Sequence, residues 1–356
     1  MQIVTKSEPG SVMGPVLGIE SSCDETAVAL LAADGRVLAE RVLSQLEDHA
    51  RFGGVVPEIA ARAHLAALPE LVREVLAEAG VGVRDLRAVA ASTGPGLIGG
   101  LIVGSSFGKG MAMALGCEFV AVNHLEAHAL TARLPGLIEG GAAFPYLALL
   151  ISGGHCQCVA VEGVGRYRKL GGTIDDSVGE AFDKVGKLLG LGWPGGPAIE
   201  RLAHEGDAAA YAFPRPMKGR VGCDFSWSGL KTAVALVVGK LPAGALPRGV
   251  AANVAASFQQ AVIETMADRV DHAMAMLPQA KLLVVGGGVA ANQGIRAALV
   301  EVAARHGAGF VAPPARLCTD NAVMVAWAAL ERLAIGVYDG IDAAPRPRWP
   351  LEDMTS

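Results

Sequence analysis

The chain has 356 residues and a formal net charge of −5; 52% of it is hydrophobic, 18% charged and only 5% aromatic. That length suggests about two domains, with a core of Ala, Val, Leu and Ile and 46 glycines available for turns and close backbone contacts. The acidic balance argues against nucleic-acid binding through the global field, though it leaves room for a local basic groove.

Residues 1–15 read as a loose tail without the apolar run of a signal peptide. Val16–Glu20 reads as a buried strand ending in an acid, and Ser21–Thr26 as a polar turn. Ala27–Ala32 is a second strand, Asp34-Gly35 a hairpin turn and Arg36–Leu43 a third strand. Carboxylates and hydroxyls at the tip of such a turn suit phosphate or metal–phosphate recognition, and a solvated hairpin tip explains them equally well. A helix is expected from Pro57, at its first position, to Ala79, with Pro69 breaking or restarting it.

Leu86–Ser92 is a strand leading into the glycine-rich turn Thr93–Leu101, which offers backbone N–H groups to an anion at a helix start. The uncharged runs 88–108 and 140–161 raise a membrane question. The first holds Pro95 and six glycines and the second Ser152-Gly153-Gly154-His155, so neither reads as a spanning helix.

Phe119–Val122 is a strand, and Asn123 is a good N-cap for a helix that starts His124-Leu125-Glu126-Ala127-His128. Its two histidines lie one turn apart on one face, as two ligands of a single metal ion would. An ordinary pair of core or surface histidines has about even odds on this spacing alone.

Beyond a glycine-rich seam at 132–143 the opening pattern recurs. Tyr146–Ile151 is a strand, Ser152–His155 a turn, Cys156–Val161 the returning strand and Tyr167–Leu170 a third. Two such units facing each other would enclose a nucleotide between their turns. Asp175, Asp176, Glu180 and Asp183 crowd the next segment. Asp183, between the apolar Phe182 and Val185, is the one least well explained as a solvated acid. Arg215, Lys218 and Arg220 interleave with Phe213, Phe225 and Trp227, which suits either phosphate contact with base stacking or a lid packed on its own aromatics.

Val254–Met276 is a strongly patterned helix. Lys281–Asn292 reads as strand, glycine turn and helix start, with the glycines able to lie against a base or ribose and Asn292 able to hydrogen-bond it. A final helix covers Ala322–Ala334. Thr319 or Asp320 would be its usual N-cap; alternatively the Asp320 carboxylate is a third metal ligand. Six scattered cysteines without zinc-ribbon spacing read as reduced and mostly buried, and the expected location is the cytoplasm.

These stretches, in order, resemble one family, the tRNA N6-adenosine threonylcarbamoyltransferases, formerly described as O-sialoglycoprotein endopeptidases. The matching stretches are Gly18–Thr26, Gly53–Glu58, Thr93–Gly99, Asn123–His128, Ser152–His155, Asp175–Lys184, Gly190–Pro197, Phe225–Thr232, Gly286–Asn292 and Cys318–Asn321. Trp193 and Trp227 stand where the family more often has Tyr and Phe.

The resemblance implies an α/β chain of the actin/hexokinase/Hsp70-like (ASKHA) fold, with two RNase-H-like lobes around a nucleotide cleft. The lobes would be 16–143 and 144–356, the last helix (about 320–334) having the option of packing back on the first. His124, His128 and Asp320 match the family's metal ligands, usually described with iron and sometimes zinc. Leu150, Ile151, Ser152, Gly153, Gly154, Asp183, Gly196 and Asn292 match positions that hold the adenylate.

The implied reaction moves a threonylcarbamoyl group from threonylcarbamoyl-AMP to N6 of the adenosine just 3′ of the anticodon in tRNAs reading ANN codons, releasing AMP. Asp24, Glu25 and His155 are the candidates for handling the proton, and spacing does not choose among them. The implied partners are tRNA through its anticodon loop, the inactive paralogue TsaB and the small ATPase TsaE, with no membrane. The rival readings are a glycoprotease-type metalloprotease, an ATP-dependent kinase and a non-enzymatic nucleotide-switched assembly protein. The first needs Glu directly after His124, where Leu125 stands, and the second would hold Mg²⁺ through oxygen ligands.

Overall fold

Two five-stranded mixed sheets organise the chain in the computed structural model, which describes residues 14–241 and 246–354. Residues 1–13 of the expected tail therefore lie outside the described residues. One compact unit comprises the described chain up to His49, Val55–Pro135 and Asp320–Pro350; the other comprises Ala50–Gly54, Gly136–Thr319 and the chain from Leu351.

The first unit begins β1 (Val16–Glu20), β2 (Glu25–Leu31) and β3 (Val37–Ser44), continues through α1 (Leu46–Ala50), α2 (Pro57–Ala79), β4 (Ala88–Gly94), α3 (Ile98–Leu115) and β5 (Glu118–Asn123), and reaches α4 (His124–Leu130). Its sheet has the order β3-β2-β1-β4-β5, with β1–β3 antiparallel and β4 and β5 parallel to β1. The second unit runs β6 (Tyr146–Ile151), β7 (Cys156–Gly163), β8 (Arg166–Gly172), α5 (Val178–Leu188), α6 (Gly195–Ala203), α7 (Ser228–Val238), α8 (Arg248–Met276), β9 (Leu282–Gly286), α9 (Gln293–Arg305), β10 (Gly309–Val311) and α10 (Ala315–Cys318). Its sheet order is β10-β9-β6-β7-β8, again three antiparallel strands followed by two parallel ones. The recurrence seen in the sequence is therefore a repeat of topology: each lobe is RNase-H-like.

The chain then returns to the first unit as α11 (Ala322–Ala334). All five residues of β1 are buried, because α2 and α3 cover one face of the sheet and α11 the other. α11 comes so close at Gly18 that a Cβ there would stand 2.5 Å from the Ala322 carbonyl oxygen and 2.7 Å from the Ala326 nitrogen. Only glycine leaves room for that approach.

One sequence expectation needs correction, and one pair of alternatives is decided. Pro69 does not interrupt α2, which runs unbroken over 23 residues. The proline is exposed, and it removes only the bond to the carbonyl of Leu65, itself 65% exposed and open to water. Meanwhile Ala60, His64, Leu68, Val72 and Val75 stay buried on either side and hold the helix in place. The basic–aromatic cluster is not a stacking platform. Phe213, Phe225 and Trp227 are core residues, and Arg215 and Lys218 both pair with Glu264 at 3.0 Å.

The apolar helix α3 is long enough to cross a membrane by length and composition, but it packs on β4 and α2. All six cysteines are free thiols, four of them buried.

Gly18→Ala should force α11 away from β1. The expected cost of such overpacking is about 1–3 kcal/mol, read as a lower midpoint in thermal or denaturant unfolding with the secondary structure retained.

Candidate functional site

β5 ends in Asn123, whose side-chain oxygen accepts from the Leu125 and Glu126 N–H groups at 2.9 and 3.3 Å and so starts α4. That cap sets the helical phase, and the rings of His124 and His128 come out side by side, centroids 4.7 Å apart and planes at 89°. At the start of α11, Asn321 is the N-cap, its side chain accepting from Met324 N at 2.9 Å. Of the two readings of Asp320, the cap is therefore not the one met, and its carboxylate faces α4. Its Oδ1 lies 3.4 Å from His124 Nε2 and 3.2 Å from His128 Nε2.

The three donor atoms lie within 4.8 Å of one another. Donors held about 2.1 Å from an ion stand about 3.0 Å apart at right angles and about 3.4 Å apart at the tetrahedral angle. The Asp320–histidine separations fall in that range, and the 4.8 Å bound on the whole set leaves the two imidazoles a small inward turn from the limit of about 4.2 Å that two such donors can span. Two imidazoles and one carboxylate also form a set that leaves coordination positions open. The residues present therefore fit a metal ion.

Behind His124, Glu20 closes β1. It is fully buried and accepts from Ser22 N at 2.6 Å and from the Ser92 hydroxyl. Its Oε2 stands 3.0 Å from His124 Nδ1, and Ser22 Oγ stands 3.2 Å from the same nitrogen. A carboxylate on Nδ1 keeps the proton there and turns the Nε2 lone pair outward. Burial opposes the charged form of His124, but Asp320 and Glu20 outweigh it and raise the ring well above its ordinary value. Burial likewise opposes ionisation of Asp320, yet the two histidines hold it well below the usual carboxylate range. Glu25 lacks such a partner. Burial, then the charges of Asp320 and Asp24, push it up to about 9.

Two N–H groups of the glycine-rich turn after β4 are spent within the chain. Gly96 N donates to the Pro347 carbonyl at 3.2 Å and Leu97 N to the Ser22 carbonyl at 2.8 Å, so the chain's own backbone uses those groups.

In the second unit, Ile151 ends β6 and the turn Ser152–His155 follows. Ser152 Oγ accepts from Gly154 N and His155 N at 3.3 and 3.1 Å, and Ser177, the N-cap of α5, donates to the Gly153 carbonyl. Gly153 and Gly154 are exposed, with nothing within 4 Å of where a Cβ would stand. The turn after β9 presses onto the same place, since a Cβ on Gly287 would meet the Ile151 carbonyl oxygen at 2.3 Å.

Asp183 accepts from Gly195 N at 2.7 Å and Trp193 Nε1 at 3.1 Å, which ties the Gly190–Pro197 loop and the start of α6 to α5; burial raises its pKa. Its apolar flanks thus have a structural account that the sequence did not suggest. Gly196 follows that anchor with open space above it. Asn292 caps α9 through Ile295 N at 3.0 Å and donates to Gln259 Oε1 at 2.9 Å. Leu150 is buried within β6. Of the proton-handling candidates, Asp24 and Glu25 lie in the first unit and His155 in the second.

The chain matches the family model described as tRNA N6-adenosine threonylcarbamoyltransferase over residues 36–327. It belongs to that family. A curated relative of the same description from Granulibacter bethesdensis is 66% identical over 95% of this chain and 94% of its own length, and one from Gluconobacter oxydans is 64% identical over 98% and 96%. Among solved structures, full-length HypF in its phosphate- and nucleotide-bound form aligns with a TM-score of 0.59 at 12% identity, over 90% of this chain and 55% of that one. This likeness supports the actin/hexokinase-like fold. The enzyme is thus an acyltransferase that places a threonylcarbamoyl group on N6 of adenosine in tRNA, and the protease, kinase and assembly readings are not favoured.

Sequence reasoning missed the parts played by Glu20, Ser22 and Ser92 behind His124. An acid ending a buried strand was a signal for Glu20; nothing marked Ser92. Glu20→Gln should weaken metal binding by about 10- to 100-fold, measured as bound metal per chain in competition with a chelator.

Proposed function

We propose that His124, His128 and Asp320 hold one divalent metal ion, Fe²⁺ before Zn²⁺, and that this centre serves the threonylcarbamoyl transfer. The observation that carries the reading is the convergence of two ring nitrogens and one carboxylate oxygen from distant segments. Bound there, the ion would supply Lewis-acid polarisation of the carbamoyl carbonyl. The chain's own residues do the rest. Glu20 orients His124, and Ile151–Gly154 with Gly196 present backbone to the adenylate. Asp183 and Asn292 shape the loops that receive its adenosine part.

An adenine amine is a weak nucleophile, so holding both reactants in line contributes much of the rate. Asp24, Glu25 and His155 are the candidates for handling the proton of the transfer. The accepting adenosine is the one just 3′ of the anticodon, in a single-stranded loop from which a base turns out at low cost. Partners of this reading are the paralogue TsaB and the ATPase TsaE, in the cytoplasm. Their place follows from the bacterial-type stretch Gly53–Glu58 and from an acidic chain that alone lacks the field to grip tRNA.

Single-turnover transfer from preformed threonylcarbamoyl-AMP to tRNA tests the centre. His128→Ala should be slower by about 100-fold or more, and an unchanged rate would remove the metal from the mechanism. Elemental analysis of protein purified without added metal should find one iron per chain. Zinc in its place would reassign the ion, and no metal at all would overturn the centre.

A further inference from the structure

A directed line of buried hydrogen bonds crosses the first unit, separate from the three converging donors. It starts at Val56, whose backbone N–H donates to His49 Nδ1 at 3.3 Å. A backbone N–H can only donate, so His49 carries its proton on Nε2, which lies 3.2 Å from Gln45 Oε1. The amide nitrogen of Gln45 then faces Thr26 Oγ1 and His64 Nδ1, each at 3.3 Å, and the Thr26 hydroxyl donates to His64 Nδ1 at 2.8 Å. His64 Nδ1 is thereby an acceptor. Its proton sits on Nε2, which donates to the Cys23 carbonyl at 3.1 Å.

One fixed end thus sets the direction of every bond in the line. Thr26, Gln45, His49 and His64 are all 2% exposed or less. Such a network is costly in an apolar interior unless every member is satisfied, and when satisfied it holds one geometry. Burial also keeps His64 below its ordinary pKa, in line with a neutral ring.

The line ends where the turn after β1 meets β2, beside the two acids. Cys23 precedes Asp24 and Glu25, and the Gln45 backbone N–H donates to the Asp24 carbonyl at 3.1 Å. The turn is therefore held at two successive carbonyls, one by the His64 ring and one by the Gln45 backbone. Packing alone would be met by an aliphatic residue at 64, on the buried stripe of α2.

We propose that His64 is a positioning residue for the transfer: through the line Val56–His49–Gln45–Thr26–His64 it fixes the Cys23 carbonyl and so the carboxyls of Asp24 and Glu25. The inference rests on the reading of those two acids as proton-handling groups.

The test uses the full chain in the complete modification system. His64→Leu should lower kcat by about 10- to 100-fold, with KM for threonylcarbamoyl-AMP and bound metal unchanged. His64→Gln, which keeps a donor near the Nε2 position, should restore most of the rate. Hydrogen exchange at the amides of residues 21–26 should quicken in the leucine variant and not in the glutamine one. In an Asp24→Asn/Glu25→Gln background, His64→Leu should add no further loss. Additive losses, or unaltered exchange at residues 21–26, overturn the proposal. A wild-type rate in Asp24→Asn/Glu25→Gln by itself sinks the reading of the acids, while the exchange measurement still decides whether His64 holds the turn. Should His64→Leu not fold, Gln45→Leu breaks the same line further back and carries the same expectations.

Discussion

The seat of α11 on β1 is the constraint from which the rest of the first unit follows. The helix lies against the strand at Gly18 with no room for a side chain between them, and three polar ties lock its position along the β5–α4 segment. Trp327 Nε1 donates to the Leu130 carbonyl at 3.1 Å, Arg133 pairs with Glu331 at 2.7 Å, and the nearly buried Arg332 donates to the Ala121 carbonyl at 2.6 Å. A buried guanidinium is expensive unless its donors are met; Arg332 meets them on a strand carbonyl and on Asp339 at 3.3 Å. With the helix fixed and Asn321 doing the capping, Asp320 has one place to be, opposite His124 and His128. Residues nearly two hundred positions apart in sequence are brought to hydrogen-bond distance by helix seating, not by any flexible loop.

The electrostatics of this region follow from the same packing. Burial alone would neutralise Glu20, Asp320 and His124, yet each is held charged by the next, in a row from Glu20 through His124 to Asp320. Glu25 stands beside that row without a cation of its own and shifts the other way, to about 9. One packing arrangement therefore keeps Glu20 and Asp320 ionised around His124 and a neighbouring carboxyl, Glu25, protonated near neutral pH. Two carboxyls in separate environments take separate roles in the same manner in acid–base catalysis generally.

The two lobes share a strand order and spend it differently. In the first, the turns after β1 and β4 are packed against one another and against the C-terminal segment: Leu97 N bonds the Ser22 carbonyl, Arg346 N the Thr93 carbonyl and Asn123 Nδ2 the Trp349 carbonyl. In the second, the turn after β6 keeps two exposed glycines with open space over them. Its support comes from below, through Ser177 at the start of α5 and the close approach of Gly287. A braced turn suits a fixed ligand set, and an open one suits a group that must come and go.

The sequence by itself determined every strand but β10, the two repeating units, the cap at Asn123 and the pairing of His124 with His128, because each depends on residues within a turn or two of one another. The family could be read for the same reason, as a series of short local stretches in fixed order. Where the sequence went astray, a distant segment had intervened. Pro69 is carried through α2 by a buried stripe that packs on other elements. The aromatics at 213, 225 and 227, open to two readings in the sequence, went to the core. Only the tertiary structure decided that Asp320 faces the histidines rather than capping its helix, that Glu20 stands behind His124, and that His64 reaches the turn of the two acids. Those contacts join positions far apart in the chain, and their geometry is set by how helices seat on sheets, which no local pattern of residues encodes.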